Sequence, residues 1–238
     1  MTTTRIAKIA LEEAFNLPDI DNSNNNFTAP NGAQDLGAQL VDIHEQRLKG
    51  MDENGISYMI LSLTSPGAQD HTNPEVAQAL AKRSNDYLAG EIRKNPARFG
   101  GFAALSMHDP KSAALEARRA IKELGFHGLL VNDFQSTGAD GEGAIFYDQP
   151  EWDIFWEEVE ALDNISITTS GHYGTPSLLF AIQELGIDRV MFSIDYPYET
   201  IDEGAKWFDS IAELTEDQKK QIAFGNAEKL LKLSPFPK

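Results

Sequence analysis

The chain contains no cysteine. Disulfides, thiolate nucleophiles and Cys-ligated zinc are therefore excluded together. Basic residues are scarce: 20 Lys and Arg stand against 37 Asp and Glu, a formal net charge of −17. Such a balance argues against non-specific binding to nucleic acid or to an anionic membrane. It leaves room for an anionic small molecule, because one bound metal ion reverses the field locally. No apolar run is long enough to span a membrane, and residues 1–5 lack the apolar stretch of a signal peptide, so the expected location is cytoplasmic. Several catalytic signatures are missing too. There is no Gly-x-Ser-x-Gly elbow, no His-x-His and no His-Glu-x-x-His. The Gly-rich stretch 137–143 lacks the G-x-G-x-x-G spacing and opens no helix, so no nucleotide site is read there.

What is present is ordinary soluble composition, and 238 residues suffice for one sizeable core or two small ones. A first strand is expected at residues 7–11, followed by an irregular stretch, 16–34, with an Asn-rich run at 21–26. Leu36, Leu40, Ile43, Leu48 and Met51 recur at roughly helical spacing and predict one helix over 35–53. Apolar runs at 57–63, 99–105, 126–131, 165–169 and 189–194 read as further strands. Between them lie helices opened by Pro74, by Asp109-Pro110, at Trp152, at Thr175 and at Glu203, and a last one capped by Thr215. The aromatic stripe Trp152, Phe155 and Trp156 reads as core. Strand and helix alternate about six times, which predicts a parallel α/β architecture, either a barrel or a doubly wound sheet.

In such a sheet the strand ends gather on one face. Glu12 and Glu13 follow the first expected strand, Asn132 and Asp133 the fourth, His172 the fifth and Asp195 the sixth. A carboxylate at such a mouth is costly unless it is paired, hydrogen-bonded or metal-bound. If the first and last strands are neighbours, Glu12 and Asp195 meet there. They then share a divalent cation, or one of them is protonated and acts as a general acid. Among the histidines, His44 reads as surface or packing, His71 has no role, His108 is a contact at a helix start, and His127 is a core imidazole. His172, after Gly171, is the one placed to touch a ligand. The residues alone lead to an acidic strand-end site for a metal and a small molecule.

The segments Ala10-Leu11-Glu12-Glu13-Ala14-Phe15, Ser106-Met107-His108-Asp109-Pro110, Leu130-Val131-Asn132-Asp133, Phe146-Tyr147-Asp148, Trp152-Asp153-Ile154-Phe155-Trp156, Thr169-Ser170-Gly171-His172 and Phe192-Ser193-Ile194-Asp195-Tyr196-Pro197 resemble a specific family. They are similar to the metal-dependent aromatic acid decarboxylases of the amidohydrolase superfamily, nearest to the fungal 2,3-dihydroxybenzoate decarboxylases. The resemblance implies a (β/α)8 TIM barrel, usually in a homo-dimer or homo-tetramer. It also implies non-oxidative loss of CO2 from an ortho-hydroxybenzoate with a divalent metal (Mg, Mn or Zn) and no organic cofactor. Carried over, Glu12 matches a metal-binding Glu. Asp195 matches a metal-binding Asp that delivers the proton. Ala14 stands where some relatives have a metal-binding His, which narrows the match toward dihydroxybenzoate and salicylate enzymes. Ser65, Asn132 and His172 are the candidate substrate-pocket residues.

The chain also departs from the family. The family's fifth and sixth strands, its metal-binding His in a His-Pro context and its His-Leu-Gly-Glu motif have no counterpart here. Leu162-Asp163 runs straight into Asn164-Ile165. The expectation is a single TIM-barrel-derived domain over 1–238, about six βα units of eight, with the middle segment lost at the 163/164 junction. Two carboxylates plus water suit Mg²⁺ or Mn²⁺ and are poor for Zn²⁺. Three readings follow: an active decarboxylase, an inactive partner of full-length subunits, and a metal-dependent hydrolase.

Overall fold

The segment KIALEEAF is buried at seven of its eight positions and forms β1 (Lys8–Phe15). ISYMILSL behaves the same way in β2 (Ile56–Leu63). Near-continuous burial marks strands covered on both faces, as in parallel sheets. The structure, a computed structural model, describes residues 6–20, 36–159 and 167–233. Around these two strands the chain adds α1 (Leu36–Val41), α2 (Gln46–Asn54), α3 (Pro74–Lys94), β3 (Phe99–Ala104), α4 (Pro110–Arg119), β4 (Gly128–Leu130), β5 (Gln135–Thr137), β6 (Gly143–Ile145) and α5 (Asp153–Val159). After residue 166 come β7 (Ile167–Thr168), α6 (Thr175–Leu185), β8 (Val190–Met191), α7 (Ile201–Ser210), α8 (Glu216–Lys220) and α9 (Asn226–Leu231). The first four strands are hydrogen-bonded in the order β1-β2-β3-β4.

The elements form two compact units. The first holds β1, α1, α2, residues 56–60 of β2, and everything described from β7 onward. Here β7 and β8 pair in parallel, Ile167 opposite Val190 and Thr168 opposite Met191. The expected helix over 35–53 is two helices. Asp42 interrupts it: its carboxylate accepts the amides of Glu45 and Arg47, both at 3.0 Å, and so starts α2. Gly55, at φ +71°, closes α2 by donating to the Met51 carbonyl. Lys8 is fully buried, and its ammonium is paired with Asp209 at 2.7 Å, which is what makes a buried charge tolerable. The expected Thr215 cap is present as a reciprocal capping box with Gln218.

The second unit holds the end of β2, most of β3, and α3 to α5. β3 and β4 pair in parallel, Phe102 to Ala104 opposite Gly128 to Leu130. Asn73 caps α3 and Asp109 caps α4, each just ahead of a proline. From α3, Asn85 reaches β3 and satisfies both backbone groups of one residue: it donates to the Ala104 carbonyl and accepts the Ala104 amide, each at 2.9 Å. Trp152 and Phe155 are buried with Leu105, Met107, Ala113, Ala117 and Tyr147, so two of the three aromatic positions are core. Trp156 is 40% exposed and donates to the Tyr147 carbonyl. The Gly-rich stretch expected to be a plain loop is the turn of an antiparallel hairpin, with Gln135 opposite Ile145 and Thr137 opposite Gly143. This hairpin interrupts the strand–helix alternation between β4 and α5. The Asn-rich run 21–26 and the 163/164 junction lie outside the described residues.

Candidate active site

Among the described residues, three non-glycine residues have a positive φ: Glu12 at +70°, Asp195 at +83° and Lys232 at +54°. Two of the three are the acidic pair singled out from the sequence. A side chain in this region is strained and stays there only where its surroundings over-determine the backbone, a condition that clusters at functional sites. Of the two, only Asp195 lies beyond a strand end as expected, four residues after β8. Glu12 lies inside β1. β8 stops at Met191 because the following amides bond outside any ladder. The Phe192 amide donates to the Ile222 carbonyl, that of Ser193 to the Thr169 hydroxyl, and those of Ile194 and Tyr196 to the Glu13 carboxylate.

Glu12 and Asp195 share one electrostatic neighbourhood although 183 positions apart. Both are half-buried. Burial, then the charge of Glu12, then that of Glu199, push the Asp195 carboxyl up to about 6. Burial also raises Glu12, against the stabilising bond from the Thr168 hydroxyl to its Oε2. Gly171, at φ +62°, gives the Asp195 carboxylate its space: a Cβ there would stand 2.8 Å from Oδ2. The Gly171 amide and the Tyr173 hydroxyl both donate to the Ile194 carbonyl, at 3.1 and 2.7 Å. They secure the peptide just before Asp195.

Two half-buried carboxylates, one of whose charge raises the proton affinity of the other, form a donor set that a cation would relieve. It suits a hard, oxygen-preferring divalent ion whose other positions are taken by water or substrate, and falls short of the nitrogen and sulfur set that holds zinc. Among the described residues no group of three or more His, Asp or Glu is placed to hold a metal. His172 in particular is exposed, and its Nε2 lies 3.0 Å from the Ser177 hydroxyl at the start of α6. The neighbouring glycine, not the histidine, is what meets Asp195.

Ser65 and Asn132 come together in the second unit, the Ser65 hydroxyl donating to Asn132 Oδ1 at 3.0 Å. Asn132 also donates from Nδ2 to the Pro66 carbonyl and from its amide to Gln69 Oε1. Asn132 lines a small pocket with Leu63, Pro66, Gln69 and Leu130, and Ser65 is not part of its lining. Gln69 was not foreseen; it donates to the Tyr147 hydroxyl and to the carbonyls of Asn132 and Phe134, organising that wall. The remaining histidines make local contacts, and His127, expected as a core imidazole, is only half-buried. His44 meets Phe99 edge-on at 5.6 Å, His108 Nε2 lies 2.9 Å from the His71 carbonyl, and His127 donates its amide to Gly101.

Comparison with known proteins places the chain in a family. The amidohydrolase family profile matches residues 26–165 and 138–233. A gamma-resorcylate decarboxylase from Rhodococcus jostii is 33% identical over 325 residues, covering 95% of this chain and 98% of the relative. One from Polaromonas is 31% identical over 326 residues, covering 95% and 99%. That alignment exceeds this chain's 238 residues by 88 positions. A 2,3-dihydroxybenzoate decarboxylase from Aspergillus niger is 34% identical over 140 residues, covering 57% of the chain and 38% of the relative. Among solved structures, a dihydroxybenzoic acid decarboxylase from Polaromonas, with bound manganese and the inhibitor 2-nitroresorcinol, superimposes with a TM-score of 0.88 at 30% identity, covering 95% and 97%. The fold is accordingly TIM-barrel-derived. The chain belongs to the amidohydrolase superfamily, among its aromatic acid decarboxylases.

Proposed function

We propose that this chain carries the site of a metal-dependent decarboxylase that removes CO2 from an ortho-hydroxybenzoate such as 2,3-dihydroxybenzoate, giving catechol. The observation that carries the reading is the Glu12–Asp195 pair, both in strained left-handed backbone and sharing one field. Glu12 and Asp195 would hold the divalent cation, which would supply positive charge to offset that of the anionic substrate. Without a bound ion, burial and the charge of Glu12 push the Asp195 carboxyl up to about 6, and a bound ion would lower it. In the reaction Asp195 passes a proton to the ring carbon bearing the carboxylate. The ring loses aromaticity, the carbon–carboxylate bond breaks, CO2 leaves with aromaticity restored, and Asp195 regains a proton from solvent. The 163/164 junction marks the internal loss.

The test is direct. The purified chain is incubated with Mn²⁺ or Mg²⁺ and either 2,3- or 2,6-dihydroxybenzoate, and CO2 and the phenolic product are measured. Product with the first substrate supports the reading, product only with the second moves the substrate, and no product with either metal defeats the activity. A second reading rests on the two-carboxylate donor set and the longer alignments of the relatives. In it the chain is an inactive partner of full-length subunits. Co-purification with a full-length homologue, with no turnover of its own, distinguishes it, and an isolated monomer counts against it.

A further inference from the structure

The buried carboxylate next to the proposed metal pair has no assigned role, and its bonds converge on Asp195. Glu13 is fully buried. Its Oε1 accepts the Ile194 amide at 2.8 Å and lies 3.0 Å from the Ser193 hydroxyl; its Oε2 accepts the Tyr196 amide at 2.6 Å. One carboxylate thus spans the residues on both sides of Asp195. The Ser193 hydroxyl shares its one proton between Glu13 and the Leu11 carbonyl, directly before Glu12. On the other side, the Ala14 amide donates to the Tyr196 carbonyl at 2.8 Å. Segments 11–14 and 193–196 are therefore stitched together around Glu13. The guanidinium of Arg47, also fully buried, donates to the Ala14 carbonyl at 2.8 Å and lies 4.6 Å from the centre of the Tyr196 ring, closing the far side.

Amide bonds to a carboxylate are charge-assisted and directional. An apolar residue at position 13 would leave the Ile194 and Tyr196 amides buried without acceptors, and the turn at Asp195 would lose the carboxylate that ties both of its flanks. We infer that Glu13 is a positioning residue. It ligates nothing, and it fixes Asp195, and through the chain Glu12, in the backbone geometry a two-carboxylate cation site needs. The inference rests on reading Glu12 and Asp195 as that pair.

The experiment measures MnCl2 affinity by isothermal titration and by electron paramagnetic resonance on the full chain. Glu13→Gln, Ser193→Ala and Glu12→Gln are compared with the parent, with circular dichroism reporting the fold. Glu13→Gln keeps the side chain's size but turns an NH2 group toward one of the two amides. It is expected to bind Mn²⁺ at least tenfold more weakly with an unchanged circular dichroism spectrum and an altered resonance line shape. Ser193→Ala, which removes one donor and no charge, is expected to weaken binding about threefold. If the parent binds no Mn²⁺ while folded, the metal pair itself is wrong and the inference falls with it. If the parent binds, Glu12→Gln abolishes binding, and Glu13→Gln matches the parent, only the positioning role is overturned. Should Glu13→Gln fail to fold, Ser193→Ala decides: parental affinity and line shape in that variant reject the role.

Discussion

Asp195 and its glycine neighbour concentrate the proposed chemistry into a few atoms. Asp195→Asn keeps the shape of the side chain but removes the charge and the transferable proton. Turnover is expected to fall by at least about a hundredfold, the size typical of losing a positioned acid, measured as product formed per unit time. Mn²⁺ uptake should weaken as pH falls through about 6, the value to which burial and Glu12 push the Asp195 carboxyl. The sign follows because a proton on that carboxyl competes with the cation, so affinity is greater on the alkaline side. Titrations at pH 5 and pH 7.5 check it, and equal affinity at both would remove Asp195 from the ligand set. Gly171→Ala would bring a Cβ within 2.8 Å of Asp195 Oδ2 at a φ of +62°. A stability loss of about 1–2 kcal/mol is expected in chemical denaturation, together with weaker Mn²⁺ binding. At this scale Glu12 and Asp195 were legible because an acid beside an apolar run is conspicuous. Glu13 was not, since two consecutive glutamates look alike until strand alternation sends them to different surroundings. His172 was nominated for its place in the chain, yet its ring turns to Ser177.

The elements were most legible where local chemistry alone decides them. Asn73-Pro74, Asp109-Pro110 and Thr215 each start a helix, because a cap satisfies orphan amides of its own first turn. Features set by distant partners were misjudged. The helix expected over 35–53 is cut by Asp42, and the last strand is short because Thr169, Ile222 and Glu13 take the amides that a ladder would use. The hairpin β5–β6 was hidden by a glycine-rich stretch with no alternation to reveal it. Asn85 gives an element-level test. Asn85→Ala leaves the amide and carbonyl of Ala104 buried without their partner, and the expected cost is roughly 2–4 kcal/mol, read from the denaturation midpoint. A cost below about 1 kcal/mol would mean that water or a shift of β3 replaces both bonds.

For the molecule as a whole, a ligand that binds only the folded state stabilises it by mass action. Mn²⁺ at a hundredfold excess over its dissociation constant is expected to add about 2.7 kcal/mol, seen as a rise of several degrees in Tm. Asp195→Asn should lose that rise, and a parent chain whose Tm ignores Mn²⁺ would refute a shared cation site. Composition, capping residues and the strand–helix rhythm were enough to establish an acidic α/β protein without cysteine chemistry, because each of those properties is local or additive along the chain. The juxtaposition of residues 11–14 with 193–196 was decided only in three dimensions. It depends on one buried carboxylate accepting amides some 180 positions away, and a hydrogen bond between such distant residues leaves no periodicity in the sequence to read.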